Sequence, residues 1–256
     1  MGSHHHHHHS GSMSIASIDR VAAQGHWRSR PLAEKSLIGL GFLALAVTVP
    51  PFPGAVLVTV AILAFTFLGA RVPLRFWASV AVLPLGFLTT GAAVLLIQIG
   101  PEGIGLAPDG PAKAAALVMR ATAATCCLLF LATTTPAADL LSGLRRWRVP
   151  AELIEIALLT YRFVFILAEE AAAMTTAQRA RLGHATRRRW LRSTAQVIAA
   201  LLPRALTRAR RLETGLGARN WQGEMRVLST RPPASARVLG LILTLQAAIL
   251  AAGVLL

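Results

Sequence analysis

The sequence predicts an all-α, polytopic membrane protein: about five transmembrane helices and a cytoplasmic coupling module of one short and two long helices. Three observations lead there. The chain is 54 % apolar and only 14 % charged, with a mean hydropathy of +0.57, a balance foreign to soluble domains. Apolar runs near spanning length recur along it. Arginine supplies nearly all of a formal charge of +15 and gathers at the edges of those runs and in one late block, 179–226.

Residues 1–12, with histidines 4–9, are an expression tag, and the natural start is expected at Met13. Residues 13–35 are polar and basic (Arg20, Arg28, Arg30, Lys35) and read as a cytoplasmic arm with Trp27 at the membrane interface. No cleavable signal peptide is expected there. Residues 36–134 hold four spans. The first, 37–49, is short and extends back toward Glu34; Pro50-Pro51-Phe52-Pro53-Gly54 stops it. The second is 55–68. The third is 76–99, with Pro84 as an internal kink. Residues 100–111 read as a Gly/Pro loop, 112–134 as the fourth span, and 238–256, within a domain set at 236–256, as the fifth. The N-terminal arm, the loop with Arg71 and Arg75, and everything after span four are basic, while the intervening loops are nearly neutral. The positive-inside rule then puts the N-terminus in the cytoplasm and the C-terminus outside a cell (inner) membrane.

Residues 135–226 form the coupling module. A short amphipathic helix, 136–148, carries Leu140, Leu141, Leu144 and Trp147 on one side. A long helix follows over 150–181, about 50 Å at roughly 1.5 Å per residue. Pro150 suits its first position, and Glu152 and Glu155 its first turn. Its apolar part, 153–168, is too short for a bilayer core of ~30 Å and reads as interfacial. A second long helix covers 190–219, bent at Pro203. Arg187-Arg188-Arg189 in the hinge suits solvent or anionic lipid, with a specific partner as the alternative.

Each long helix ends in a tripeptide with a central arginine: Ala180-Arg181-Leu182 and Ala218-Arg219-Asn220, with Gly183, Gly215, Gly217 and Gly223 nearby. Arginine there offsets the partial negative charge of unpaired carbonyls. Its five donors still reach past the helix end toward a carboxylate. Two such ends on a membrane protein predict a docking device for a soluble partner.

Other chemistries find little support. Cys126 and Cys127 are adjacent, so they point about 100° apart on a helix and read as small buried residues rather than metal ligands. His26 and His184 stand alone, and no Walker A sequence occurs. Gln98 and Gln246 read as interhelical hydrogen-bonding groups. Arg120, inside the fourth run, either serves function or snorkels to the outer headgroups. Positive charge beside apolar segments argues against nucleic acid as a partner.

The run Leu159-Thr160-Tyr161-Arg162-Phe163, then Glu169-Glu170, then Ala177-Gln178-Arg179-Ala180-Arg181-Leu182-Gly183 resembles the first long coupling helix of energy-coupling factor transporter T components. Gly217-Ala218-Arg219-Asn220-Trp221 resembles the end of the second. Ile18-Asp19-Arg20, Gly25-His26-Trp27-Arg28 and Glu34-Lys35 resemble the cobalt-type (CbiQ) branch. The resemblance implies a non-catalytic scaffold subunit of an ATP-driven cobalt importer. It would join two cytoplasmic ABC-type ATPase subunits to a membrane-embedded metal-binding subunit, with a small accessory membrane subunit and membrane lipid as further partners. ATP would lie on the ATPases and cobalt on the membrane partner, leaving this chain without a cofactor. By position, the implied ATPase-coupling residues are Ala180, Arg181, Leu182, Ala218, Arg219 and Asn220. Arg179 is a fallback for Arg181, with Arg162, Glu169 and Glu170 in support and Arg120 as a contact for the metal-binding subunit. The family tip is often Ala-Arg-Gly, whereas Leu182 and Asn220 hold the third places here. Alternatives are a nickel or vitamin importer of the same class, or a conventional ABC importer permease. Glu170-Ala171-Ala172 suggests the latter, but Thr176 stands where its loop wants glycine. A membrane enzyme would need a catalytic spacing that is not recognised here.

Overall fold

A computed structural model describes residues 15–100, 103–106, 109–220 and 234–255. The chain is an all-α polytopic membrane protein and divides into two compact units. One comprises Met1–Asp139 with Thr230–Leu256, and the other Leu140–Ser229.

The first unit is a helical bundle. Helix α1 (Ile15–Gln24) leads through a 3₁₀ turn (His26–Ser29) to Pro31, which starts α2 (Leu32–Thr48). The prolines of 50–53 end α2. Helix α3 (Val56–Ala64) is flanked by wider π-type turns, Pro51–Ala55 and Phe65–Gly69. Then come α4 (Leu74–Val94), with Pro84 inside it, α5 (Gly110–Thr134), and α9 (Ala236–Leu255). Four stretches are long and apolar enough to cross a membrane: Pro51–Gly69, Leu74–Val94, Gly110–Thr134 and Ala236–Gly253. The first expected span, α2, has 17 residues, about 26 Å at 1.5 Å per residue.

The core forms where α2, α3, α5 and α9 meet. Ile38, Phe42, Ala46, Val58, Ile62, Ala123, Cys126, Cys127, Phe130, Ile242 and Ile249 are buried together. Small side chains let the helices close in without a hydrophobic drive from water. Gly39 eases this approach, since a Cβ there would sit 3.3 Å from the Leu131 side chain. The adjacent cysteines are thus core residues, as expected. Gln246 donates from Nε2 to the Leu37 carbonyl at 2.8 Å, the interhelical bond expected of it.

Two expectations are corrected. The third span ends at Val94, not at 99. The sequence after it, read as a loop, forms an antiparallel hairpin of β1 (Ile97–Gly100) and β2 (Gly103–Leu106), paired Ile97 to Leu106 and Gly100 to Gly103. The β-branched residues Ile97, Ile99 and Ile104 favour extended backbone there.

The N-terminal stretch is not a free arm either. Helix α1 packs on α5, and Trp27 stands edge-on to Phe65 (6.4 Å) and Phe130 (5.8 Å). Asp19 accepts from the Ala137 N–H at 3.2 Å, at the start of α6 (Ala137–Gly143). Lys35, fully buried, donates to the Thr134 carbonyl at 3.0 Å, at the end of α5. Glu34 accepts from the Ser235 N–H at 3.3 Å, just before α9, and pairs with Arg30 at 3.5 Å. Each of these groups satisfies a backbone group that a helix end leaves open. The fragments resembling the cobalt-type branch are therefore the fastenings of the bundle.

In the second unit, α6 runs on into a 3₁₀ turn (Leu144–Trp147) and ends at Arg148, which adopts φ 58°. Helices α7 (Ala151–Ala180) and α8 (Arg187–Gly217) follow. The side chains of Gln98 and Trp147, and all of Trp221, Gly223 and the end of the expected module at 226, lie outside the described residues.

Candidate functional site

Helices α7 and α8 lie antiparallel. Near the corner between them, Gln178 Nε2 donates to Gln196 Oε1 at 3.5 Å. Further along, Glu170 faces Arg204 at 3.9 Å. Further still, Leu159, Arg162, Phe163 and Ile166 of α7 face Arg208, Arg211 and Leu212 of α8. Pro150 fixes the start of α7, and Glu152 sits in its first turn, where a carboxylate suits the dipole. Thr186 caps α8 by accepting from the Arg189 N–H at 3.3 Å. Helix α8 therefore begins at Arg187, three places before the expected start. Arg187, Arg188 and Arg189 form its first turn, not a hinge.

The corner explains how the first tip is held. The Gly183 N–H donates to the Gln178 carbonyl at 2.8 Å, and the Leu182 N–H to the Arg179 carbonyl at 3.0 Å. These are the two bonds of a Schellman closure. Ser193, buried on α8, donates from its hydroxyl to the Gly183 carbonyl at 3.3 Å. A Cβ on Gly183 would run into that hydroxyl and into the Gln178 carbonyl. Arg179, the fallback residue, is exposed too, but its Nε donates to His184 Nδ1 at 3.2 Å. Arg181 stays exposed, with no side-chain partner among the described residues.

The second tip shares one of these bonds, that of the left-handed residue. The Arg219 and Asn220 N–H groups close tight turns onto the Leu216 and Gly217 carbonyls, each at 3.1 Å. Arg219 is exposed and likewise unpartnered among the described residues. Each arginine is followed by a left-handed residue, Leu182 at φ 57° and Asn220 at φ 53°. At the first tip the chain leaves the helix axis directly after the guanidinium. Left-handed backbone is what glycine adopts without cost, so Leu182 and Asn220 keep the Ala-Arg-Gly shape without its glycine. Asparagine tolerates that region; leucine does so at a cost.

Because α7 and α8 run in opposite directions, Arg181 and Arg219 lie at opposite ends of the pair. Helix α8 has 31 residues, so the two tips stand about 45 Å apart at 1.5 Å per residue. Of the supporting residues, Glu170 pairs with Arg204, Glu169 is exposed, and Arg162 lines a cleft with Arg208 and Arg211. Glu170-Ala171-Ala172 lies mid-helix in α7, with no turn beside it. Arg120 belongs to the bundle, where Nη2 donates to the carbonyl of Val49, the residue that ends α2, at 3.2 Å. Sequence reasoning missed Gln178, Ser193 and Gln196. Their signal was a cluster of small polar side chains on facing sides of two helices that are otherwise apolar or basic.

The model of the family described as cobalt transport protein, CbiQ, matches residues 24–230. That range takes in the bundle fastenings from Glu34 onward and both tips. The chain belongs to the CbiQ cobalt transport protein family. Similar proteins agree. The cobalt transport protein CbiQ of Rhodobacter capsulatus is 95 % identical over 95 % of this chain and 100 % of its own length. That of Salmonella typhimurium is 31 % identical over 82 % of this chain and 99 % of its own. A chain of Methanocorpusculum labreanum, named as a fused cobalt transport protein CbiMQ, is 29 % identical over 81 % of this chain but only 37 % of its own length. The resemblance to the cobalt-type branch thus holds at the level of the family, and this protein is a membrane component of a cobalt transporter.

Proposed function

We propose that this chain is the mechanical coupler of an energy-coupling factor importer for cobalt. In this reading Arg181 and Arg219 each dock in an acidic groove on one of two cytoplasmic ATPase subunits. ATP-driven movement of the ATPases shifts α7 and α8, and that shift reorients a separate metal-binding membrane subunit. The observation that carries the proposal is the pair of matched tips. Two exposed arginines, each released by a left-handed residue, stand at opposite ends of one helix pair. A separation of about 45 Å, from the helical rise, suits two partner subunits better than one. The fused relative supports a membrane partner beside the coupler, since this chain matches only 37 % of it. The Ala180 and Ala218 methyls keep each tip slim, and the Leu182 and Asn220 turns aim it. Arg120 keeps donors beyond its bond to Val49, and these are offered to the metal-binding subunit. Both tips lie on the cytoplasmic side, with the N-terminus inside and the C-terminus outside.

The test is the double variant Arg181→Ala, Arg219→Ala in the native complex. Removing one partner of a buried charge pair costs about 2–5 kcal/mol, so ATPase subunits should no longer co-purify and cobalt uptake should stop. The thermal midpoint of the isolated chain should not move. Assembly and uptake at the parent level would end this reading, as would labelling of cysteines at positions 181 and 219 from the outside only.

A further inference from the structure

We propose that the cleft between α7 and α8 is a binding site for an anionic phospholipid, with the phosphate held by Arg162, Arg208 and Arg211. The cleft encloses about 260 Å³. A neighbouring hollow of about 340 Å³ shares Arg208 and Arg211 and adds Glu170 and Arg204.

Charge makes the first part of the case. Helix α8 carries Arg187, Arg188, Arg189, Arg192, Arg204, Arg208, Arg210 and Arg211 against one carboxylate, Glu213. Arg204 is answered by Glu170 at 3.9 Å. Among the described residues no carboxylate pairs with Arg162, Arg208 or Arg211. Three guanidiniums bordering one hollow repel one another unless an anion joins them. Arginine matches the fork of phosphate oxygens with paired donors.

The walls make the second part. Between the arginines lie Leu159, Phe163, Ile166 and Leu212. A free phosphate would leave that apolar floor wet, whereas a lipid covers it with an acyl chain. An acidic protein segment could answer the charge. A floor this apolar, on a chain already in contact with a bilayer, favours the lipid. The proposal does not involve Arg181 or Arg219; it shares Arg162 with the supporting residues of the coupling reading, and its test reads lipid retention, not ATPase docking.

The test uses the full chain in nanodiscs of mixed phosphatidylglycerol and phosphatidylcholine, released for native mass spectrometry. The parent should retain phosphatidylglycerol over phosphatidylcholine by roughly tenfold, because the choline cation offsets the phosphate charge and is repelled by the three guanidiniums. R162Q/R208Q/R211Q should lose that preference. R188Q/R189Q/R192Q, with the same charge removed from exposed positions of α8, should keep it. R208K/R211K, which keeps charge and volume, should bind a few-fold more weakly and covers the case where the triple variant misfolds. Equal losses in the two triple variants, or equal retention of both lipids by the parent, would overturn the site. So would displacement of phosphatidylglycerol by millimolar inorganic phosphate. A photo-reactive side chain at position 212 that captures a protein instead of lipid in native membranes would also overturn it.

Discussion

The bundle and the long helix pair use charged side chains in opposite ways. In the bundle, four charged side chains meet backbone groups at helix ends: Asp19 at Ala137, Glu34 at Ser235, Lys35 at Thr134, Arg120 at Val49. In the pair, Arg181 and Arg219 are exposed at the helix ends, and Arg162, Arg208 and Arg211 border a cleft. The difference follows from what each region lacks. Helix ends inside an apolar bundle have no water to satisfy their open N–H and C=O groups, so side chains must do it. Helix ends on an exposed pair can leave that to water, and their arginines are free for other molecules. Charge in the first region should therefore set stability, and charge in the second should set association.

Lys35→Met tests the first half of that contrast and should have the largest effect. The change leaves the Thr134 carbonyl buried and without its charged donor. Hydrogen bonds to charged groups, and the desolvation left when one is lost, suggest a cost of about 3 kcal/mol. Thermal unfolding in detergent should show it as a large drop in midpoint, with Arg181→Ala unchanged beside it. If Arg181→Ala falls and Lys35→Met does not, the two regions have been assigned the wrong way round.

Gly183→Ala asks whether the corner only supports the tip. The new methyl would lie against the Ser193 hydroxyl and 2.8 Å from the Gln178 carbonyl, which cannot step aside. Overpacking of this kind costs about 2 kcal/mol. Hydrogen exchange should quicken at the facing ends of α7 and α8 and stay as it was in the bundle. Docking through Arg181 should weaken while docking through Arg219 is spared. Equal weakening at both tips would mean that the pair moves as one rigid strut.

Most of the fold could be read from the sequence because it depends on apolar run length and on proline, both local properties. The spans near 55–68 and 112–134, the long helices, and the burial of Cys126 and Cys127 are of that kind. The errors came where local pattern and tertiary context diverge. Ile97 to Gly100 continues an apolar run, so a length rule extends the helix through residues that instead pair as a hairpin. Asp19 and Lys35 fell in a stretch read as a polar, basic cytoplasmic arm, and Glu34 at the start of the first span. Their partners lie 118, 201 and 99 residues away, and no window on the sequence brings them together. The arginine tips were readable as a motif. That Arg179 is engaged by His184 while Arg181 is left open was not, because the two arginines differ only in where the helix stops.

The smallest expected effect separates the two tips from each other. Asn220 sits in left-handed backbone comfortably; Leu182, exposed at 66 %, does not and gains no packing in return. A non-glycine residue there costs roughly 1 kcal/mol. Leu182→Gly should therefore stabilise the α7 end by about that amount, less the added freedom of glycine in the unfolded chain. The Schellman bonds from residues 182 and 183 should persist, as slower exchange of those amides would report. Since Arg181 would keep its direction, ATPase docking should hold or improve slightly. Asn220→Gly should change little by the same reasoning. If Leu182→Gly instead loosens docking, the leucine side chain itself meets the partner, and the first tip differs from the second in chemistry as well as in strain.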